Sequence, residues 1–224
     1  MQKQFIWNSF LNILFPPYCV NCFSHQLKAD LFSFVCARCF LSIRQKKNPL
    51  TKLKPYDRLL SYGSYADPAL QKVIFQFKYR FVKELANPLS ELLITTLNEG
   101  GIETFLQDPL PIVTFIPLAP LRERWRGFNQ SQLLASRVAS YFNIPLLPLL
   151  GRAWLAPAQA KIENEAVREK IIKGAFRLSA QKSFPPQKVL VVDDVLTSGA
   201  TLKEAGRVLK RWGVKELWGL TVAG

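Results

Sequence analysis

"KVLVVDDVLTSGATLKEAG", Lys188 to Gly206, is the stretch on which the fold turns. Four consecutive apolar residues, Val189 to Val192, run into two adjacent aspartates, Asp193 and Asp194. A small, hydroxyl-rich turn follows (Thr197, Ser198, Gly199, Ala200, Thr201), and then an amphipathic helix to Trp212. "RWGV" closes that helix with Gly213 at the C-cap position, and an apolar strand over 216–222 comes next. Strand, helix and strand in this order make a βαβ unit, and such units build parallel sheets.

Ligands of open parallel sheets bind beyond the carboxyl ends of the strands, where the loops and helix N-termini converge. Asp193 and Asp194 stand at such an end. Small loop residues let backbone N–H groups approach an anion, and the helix N-terminus adds about half a positive charge. Hydroxyls at Thr197, Ser198 and Thr201 can donate as well, so this loop suits a phosphate. The aspartates would repel that phosphate and need donors or a cation instead, which sugar hydroxyls and Mg²⁺ supply. A phosphate at one end with a diol close by describes a ribose 5-phosphate.

Other readings of the acid pair fit less well. A Walker B strand also ends in acids, but no G-x-x-x-x-G-K-[ST] occurs in the chain. A receiver domain opens with an acid pair, but only 30 residues follow Asp194. Plain helix capping would not require two acids and five small loop residues.

Upstream text is α/β. "DRLLSYGSY" reads as a strand, and "DPALQKVIFQFKYR" as a helix with an Asp N-cap and Pro at its first position. "ELANPLSELLITTLNEG" reads as a helix ending on a Gly pair, and "PIVTFIPLAP" as a buried strand followed by a Pro-punctuated loop. "NQSQLLASRVASYF" and "ENEAVREKIIK" read as helices, and "IPLLPLL" as a short strand. The spacing divides the chain into a cysteine module (1–43), a basic linker (44–55) and an α/β domain (56–224).

Formal net charge is +14, and half of it lies in residues 1–55, where eight basic residues face one acid, Asp30. A field of this sign attracts polyanions, so nucleic-acid contact is expected there. The same quarter holds all four cysteines as "CVNC" (Cys19, Cys22) and "CARC" (Cys36, Cys39), with 13 residues between the pairs. Two CxxC pairs offer four thiolates to a tetrahedral, structural Zn²⁺. Two disulfides, or a redox CxxC, are the weaker alternatives. His25 lies between the pairs and is expected to be a loop residue. No apolar run approaches the roughly 20 residues of a membrane span. Phe5 to Phe15 is 11 residues long, broken by Asn8, Ser9 and Asn12, and lacks signal-peptide flanks, so the expected compartment is the cytoplasm.

"VLVVDDVLTSGAT" matches, position by position, the 5-phosphoribosyl 1-pyrophosphate (PRPP) signature of type I phosphoribosyltransferases. "IPLAPLRERWRGFNQSQLLA", "FQFKYR", "GRAWLAPAQ" and "GAFRLS", with the CxxC pairs in front, make the whole chain resemble the ComF family of competence proteins. The resemblance implies a type I phosphoribosyltransferase-like parallel sheet flanked by helices, preceded by a four-cysteine zinc module. It assigns the ribose and Mg²⁺ to Asp193 and Asp194, and the 5-phosphate to residues 197–201. It gives the pyrophosphate to the loop at Leu118 and Ala119, with Arg122, Arg124 and Arg126 as a mobile basic segment and Lys78 as a further cation.

Some positions depart from the pattern. Thr197 stands where purine-salvage enzymes carry an acid as general base, and Ala156 and Ile171 replace a Thr and an Asn usual in the segments of Gln159 and Arg168. These departures fall on the acceptor side, and little chain follows the last strand to form a hood. Two functions are implied. One is an adaptor in DNA uptake that binds PRPP, single-stranded DNA or a competence-machinery protein. The other is a transferase moving ribose 5-phosphate to a nitrogen acceptor with pyrophosphate release.

Overall fold

The computed structural model describes residues 18–25, 34–44, 52–152, 172–179 and 184–224. Most of the basic linker, nearly all of "ENEAVREKIIK", and Phe32, Ala156, Gln159, Arg168 and Ile171 lie outside the described residues. Four parallel strands form the central sheet in the order β1 (Arg58–Gly63), β6 (Glu216–Ala223), β5 (Lys188–Val195), β2 (Ile112–Phe115). A separate antiparallel pair joins β3 (Leu150–Arg152) to β4 (Phe176–Leu178). The helices are α1 (Ala37–Arg44), α2 (Pro68–Tyr79), α3 (Ala86–Glu99), α4 (Ile102–Phe105), α5 (Pro120–Arg126), α6 (Gln130–Tyr141) and α7 (Ala200–Trp212).

Period-two alternation in β5 sends its side chains to two cores. Leu190 and Val192 enter a cluster with residues of α2, α3 and α6, while Val189 and Val191 enter one with residues of α7 and the β3–β4 pair. A strand buried on both faces must read as an unbroken apolar run, and that is why this sequence shows no alternation. The helix ends follow local chemistry. Asp67 Oδ1 accepts from the backbone N–H of Ala69 and Leu70 (2.9 and 3.0 Å) at the start of α2. Gly213, at φ 117°, closes α7 in the left-handed conformation that a side chain would strain.

Two expectations are corrected. β5 does not end before the aspartates but runs to Val195, because Asp193 and Val195 continue the ladder opposite Thr221 and Ala223. "IPLLPLL" forms no strand of its own: Leu146 makes a single parallel bridge to Val113, and Leu150 opens β3.

The cysteine module shares the main core. Cys19, Val20, Val35, Cys36, Cys39, Phe40 and Ile43 belong to the same buried cluster as Leu60, Tyr62 and Phe77, and the Tyr62 hydroxyl donates to the Ile43 carbonyl (3.2 Å). Among the described residues no helix is long and apolar enough to cross a membrane.

Candidate functional site

The two aspartates meet different partners. Asp194 points to the α2 side, where Lys78 Nζ lies 2.9 Å from its Oδ1. Asp193 is held by the Ser131 hydroxyl (2.7 Å) and by the Asp194 backbone N–H (2.9 Å), both donating to Oδ1. Both aspartates are buried. Burial and the neighbouring Asp194 charge raise Asp193 to about 7, although Ser131 and Lys78 pull the other way. Burial works against the Lys78 ammonium, but Asp194 outweighs it and lifts Lys78 above the ordinary lysine value.

The arginines of the "RERWR" run divide. Arg122 and Arg126, four residues apart on α5, share a helix face, and Arg126 senses the charge of Asp194. Arg126 Nη1 donates to Gln130 Oε1 (2.7 Å), and its guanidinium lies 5.5 Å over the Tyr79 ring. Burial lowers the Arg126 pKa. Arg124 is exposed, two positions from either neighbour. Leu118 is half-buried, and Ala119, buried, is the N-cap residue of α5.

"RGFNQS" works as one joint. Gly127 turns the chain at φ 75°, and Phe128 packs 5.7 Å from Phe77. Asn129 Oδ1 accepts from Gln132 N at the start of α6, while Asn129 Nδ2 donates to the Ile116 carbonyl (3.1 Å). Gln130 then holds Arg126, and Ser131 holds Asp193. The motif was legible as a signature, but the roles of Gln130 and Ser131 were not. Arg152 was missed outright: it lies buried on β3 within electrostatic reach of Asp193 and Arg122.

On the other side, Gly199 at φ 74° leads into α7 and offers no side-chain cap, and only Ser198 Oγ, accepting from the Ala200 N–H at 3.5 Å, reaches the first turn. A Cβ at Gly199 would stand 3.0 Å from Leu53 Cδ1, so both the backbone angle and the close approach call for glycine here. Asp193, Thr197, Gly199 and Thr201 line a shallow cleft. Thr197 is exposed, and Ser198 and Thr201 are half-buried.

The four cysteines converge, with every Sγ within 4.8 Å of the others and Cys22 3.7 Å from Cys36. Tetrahedral zinc at about 2.3 Å from each sulfur requires sulfurs about 3.8 Å apart, so the cluster could hold Zn²⁺. All four are free thiols in the structure, and the Cys36 backbone N–H donates to Cys19 Sγ (3.4 Å). Burial pushes Cys39 up to about 12 and raises Cys36, whereas the Ser24 backbone lowers Cys22 to about 6. A divalent metal would replace the protons that burial otherwise retains.

A parallel sheet carrying buried acids at its carboxyl edge, a small-residue loop into a helix and a four-cysteine cluster packed on one face define a phosphoribosyltransferase-like protein with a cysteine module. Residues 129–222 match the phosphoribosyl transferase domain model. The chain is 29% identical to "Competence protein F" of Haemophilus influenzae, over 92% of this chain and 85% of that protein. It is 32% identical to "DNA utilization protein YhgH" of Escherichia coli K12, over 80% of this chain and 79% of that protein. "Competence protein ComFC" of Bacillus subtilis is 26% identical, over 64% of this chain and 55% of its own length. The chain belongs to the ComF family.

Proposed function

We propose that this pocket binds PRPP or a related ribose phosphate with Mg²⁺, and that the protein serves DNA uptake or utilisation as an adaptor contacting single-stranded DNA or a partner of that machinery. One observation carries the reading: two buried aspartates stand between a helix start with a glycine N-cap at residues 197–201 and the cations Lys78, Arg122 and Arg126. The helix start suits the 5-phosphate, the carboxylates suit ribose hydroxyls, and the cations suit pyrophosphate. Lys78 already neutralises Asp194, so the pair suits hydroxyls and the water shell of Mg²⁺ rather than a bare ion. Mg²⁺ would supply charge neutralisation of the pyrophosphate.

DNA contact is supported by exposed rings beside basic residues. Phe23 is 62% exposed and stacks on Tyr18 at 6.0 Å on the cysteine module. Phe75, Tyr79, Phe81 and Trp125 are exposed around the α2–α5 surface that also carries Arg122 and Arg126. Phe40, by contrast, belongs to the core, and Phe34 packs against it, so neither is a stacking ring.

Calorimetric titration of PRPP with Mg²⁺ into the wild type and into Asp193→Asn/Asp194→Asn tests the pocket. Micromolar binding lost in the variant is expected; no binding by folded wild type overturns the reading. A salt series with fluorescent oligonucleotides tests the DNA arm, where affinity should fall as salt rises. Ribosyl transfer is the second reading, favoured by the cations set where a leaving pyrophosphate would develop charge. Acceptor-dependent pyrophosphate release separates it from binding alone.

A further inference from the structure

We propose that Arg152, buried on β3, forms an oxyanion subsite on the Asp193 side of the pocket. The subsite would read a phosphate or carboxylate group of a bound ligand. Arg152 closes β3, its backbone paired with Phe176 and its guanidinium 5.3 Å over the Phe176 ring. It is only 8% exposed, and its Nε has no hydrogen-bond partner. No carboxylate among the described residues forms an ion pair with it. Its electrostatic neighbours are Arg122, which repels it, and Asp193, which attracts it.

A guanidinium desolvated this far without an acceptor destabilises the protein that carries it. The β3–β4 pairing and the Phe176 ring hold it in place nonetheless. Two further buried donors lack acceptors at the neighbouring Asp194 end of the pocket, Arg126 Nε and Gln130 Nε2. Arg122 connects the groups, since it repels both Arg126 and Arg152. Donors without acceptors, beside like charges within electrostatic reach of one another, suit an anion bound among them. A residue serving only as a structural clamp would show a carboxylate or carbonyl partner, as Arg207 does with Glu204.

The inference rests on the reading of this pocket as a ribose-phosphate site, and two sources of the oxyanion are possible. One is the pyrophosphate of the donor; the other is the carboxylate of a second ligand. The experiment uses the full-length chain as wild type, Arg152→Met and Arg152→Lys. Thermal melting is recorded without ligand. Ribose 5-phosphate, pyrophosphate with Mg²⁺, and benzoate at saturating ribose 5-phosphate are then titrated separately.

Arg152→Met should melt higher than wild type without ligand, because it removes a buried unpaired charge. It should lose about tenfold or more in affinity for pyrophosphate or for benzoate, and bind ribose 5-phosphate within about twofold of wild type. Whichever probe responds identifies the source. Arg152→Lys should keep the fold yet lose most of that affinity, since an ammonium cannot offer the fork. A lower melting temperature for Arg152→Met with both oxyanion probes bound as in wild type would overturn the proposal. So would wild type that binds neither probe. Pyrophosphate binding that depends on Arg152, in a protein that binds no ribose 5-phosphate, would sink the ribose reading and leave this one standing.

Discussion

Asp193 should make the ligand-free protein less stable as pH rises, and Asp193→Asn should remove that dependence. The unfolded chain releases this proton near pH 3.9, whereas burial and the Asp194 charge hold the native carboxyl at about 7. Between those values the native state binds a proton that the unfolded state has lost, so stability falls with rising pH. The slope is about 1.4 kcal/mol per pH unit, which amounts to about 3 kcal/mol between pH 5 and pH 7. Asparagine keeps an acceptor for Ser131 and carries no charge, so the variant lacks this loss. For a chain of this size about 1 kcal/mol moves the melting temperature by roughly 2–4 °C. The gap between variant and wild type should therefore widen by about 6–12 °C from pH 5 to pH 7 and then level off. Differential scanning fluorimetry of both proteins at matched ionic strength measures it, and other titrating groups cancel in the difference. A gap that stays flat across this range, or a variant less stable than wild type at pH 8, would refute the reasoning.

Removing Lys78 tests the other carboxylate: Lys78→Met should cost about 3–5 kcal/mol in urea denaturation by leaving Asp194 buried and unpaired. Adding Asp194→Asn should recover most of the loss, and a neutral Lys78→Met would show that the pair does not matter. Cys36→Ser should purify with clearly less than one zinc per chain by elemental analysis and melt lower than wild type; full zinc content would count against the four-cysteine assignment. Phe40→Ala should lose about 3–5 kcal/mol of stability as a core truncation. Phe23→Ala should leave melting unchanged and weaken oligonucleotide binding by roughly tenfold, so identical behaviour of the two variants would refute the division of those rings.

What the sequence determined by itself was local and short in range. Apolar runs at Val189 and Leu217, the Asp67 cap and Gly213 specified the strands and helices, because propensity and capping act within a few residues. The cysteine pairs and the acid pair were legible because ligand chemistry writes itself as residue type and spacing. Tertiary structure alone decided which charges meet. Lys78, Arg126 and Arg152 come from α2, α5 and β3, and no periodicity tells which of these elements closes on the carboxyl edge of β5. Only the folded sheet and its flanking helices assign Asp194 to Lys78 and leave Asp193 with Ser131 and within reach of Arg152. Ser131 and Arg152 look unremarkable in the chain because their meaning is burial. A buried hydroxyl or guanidinium must find a partner, and the sequence carries no mark of what will surround it.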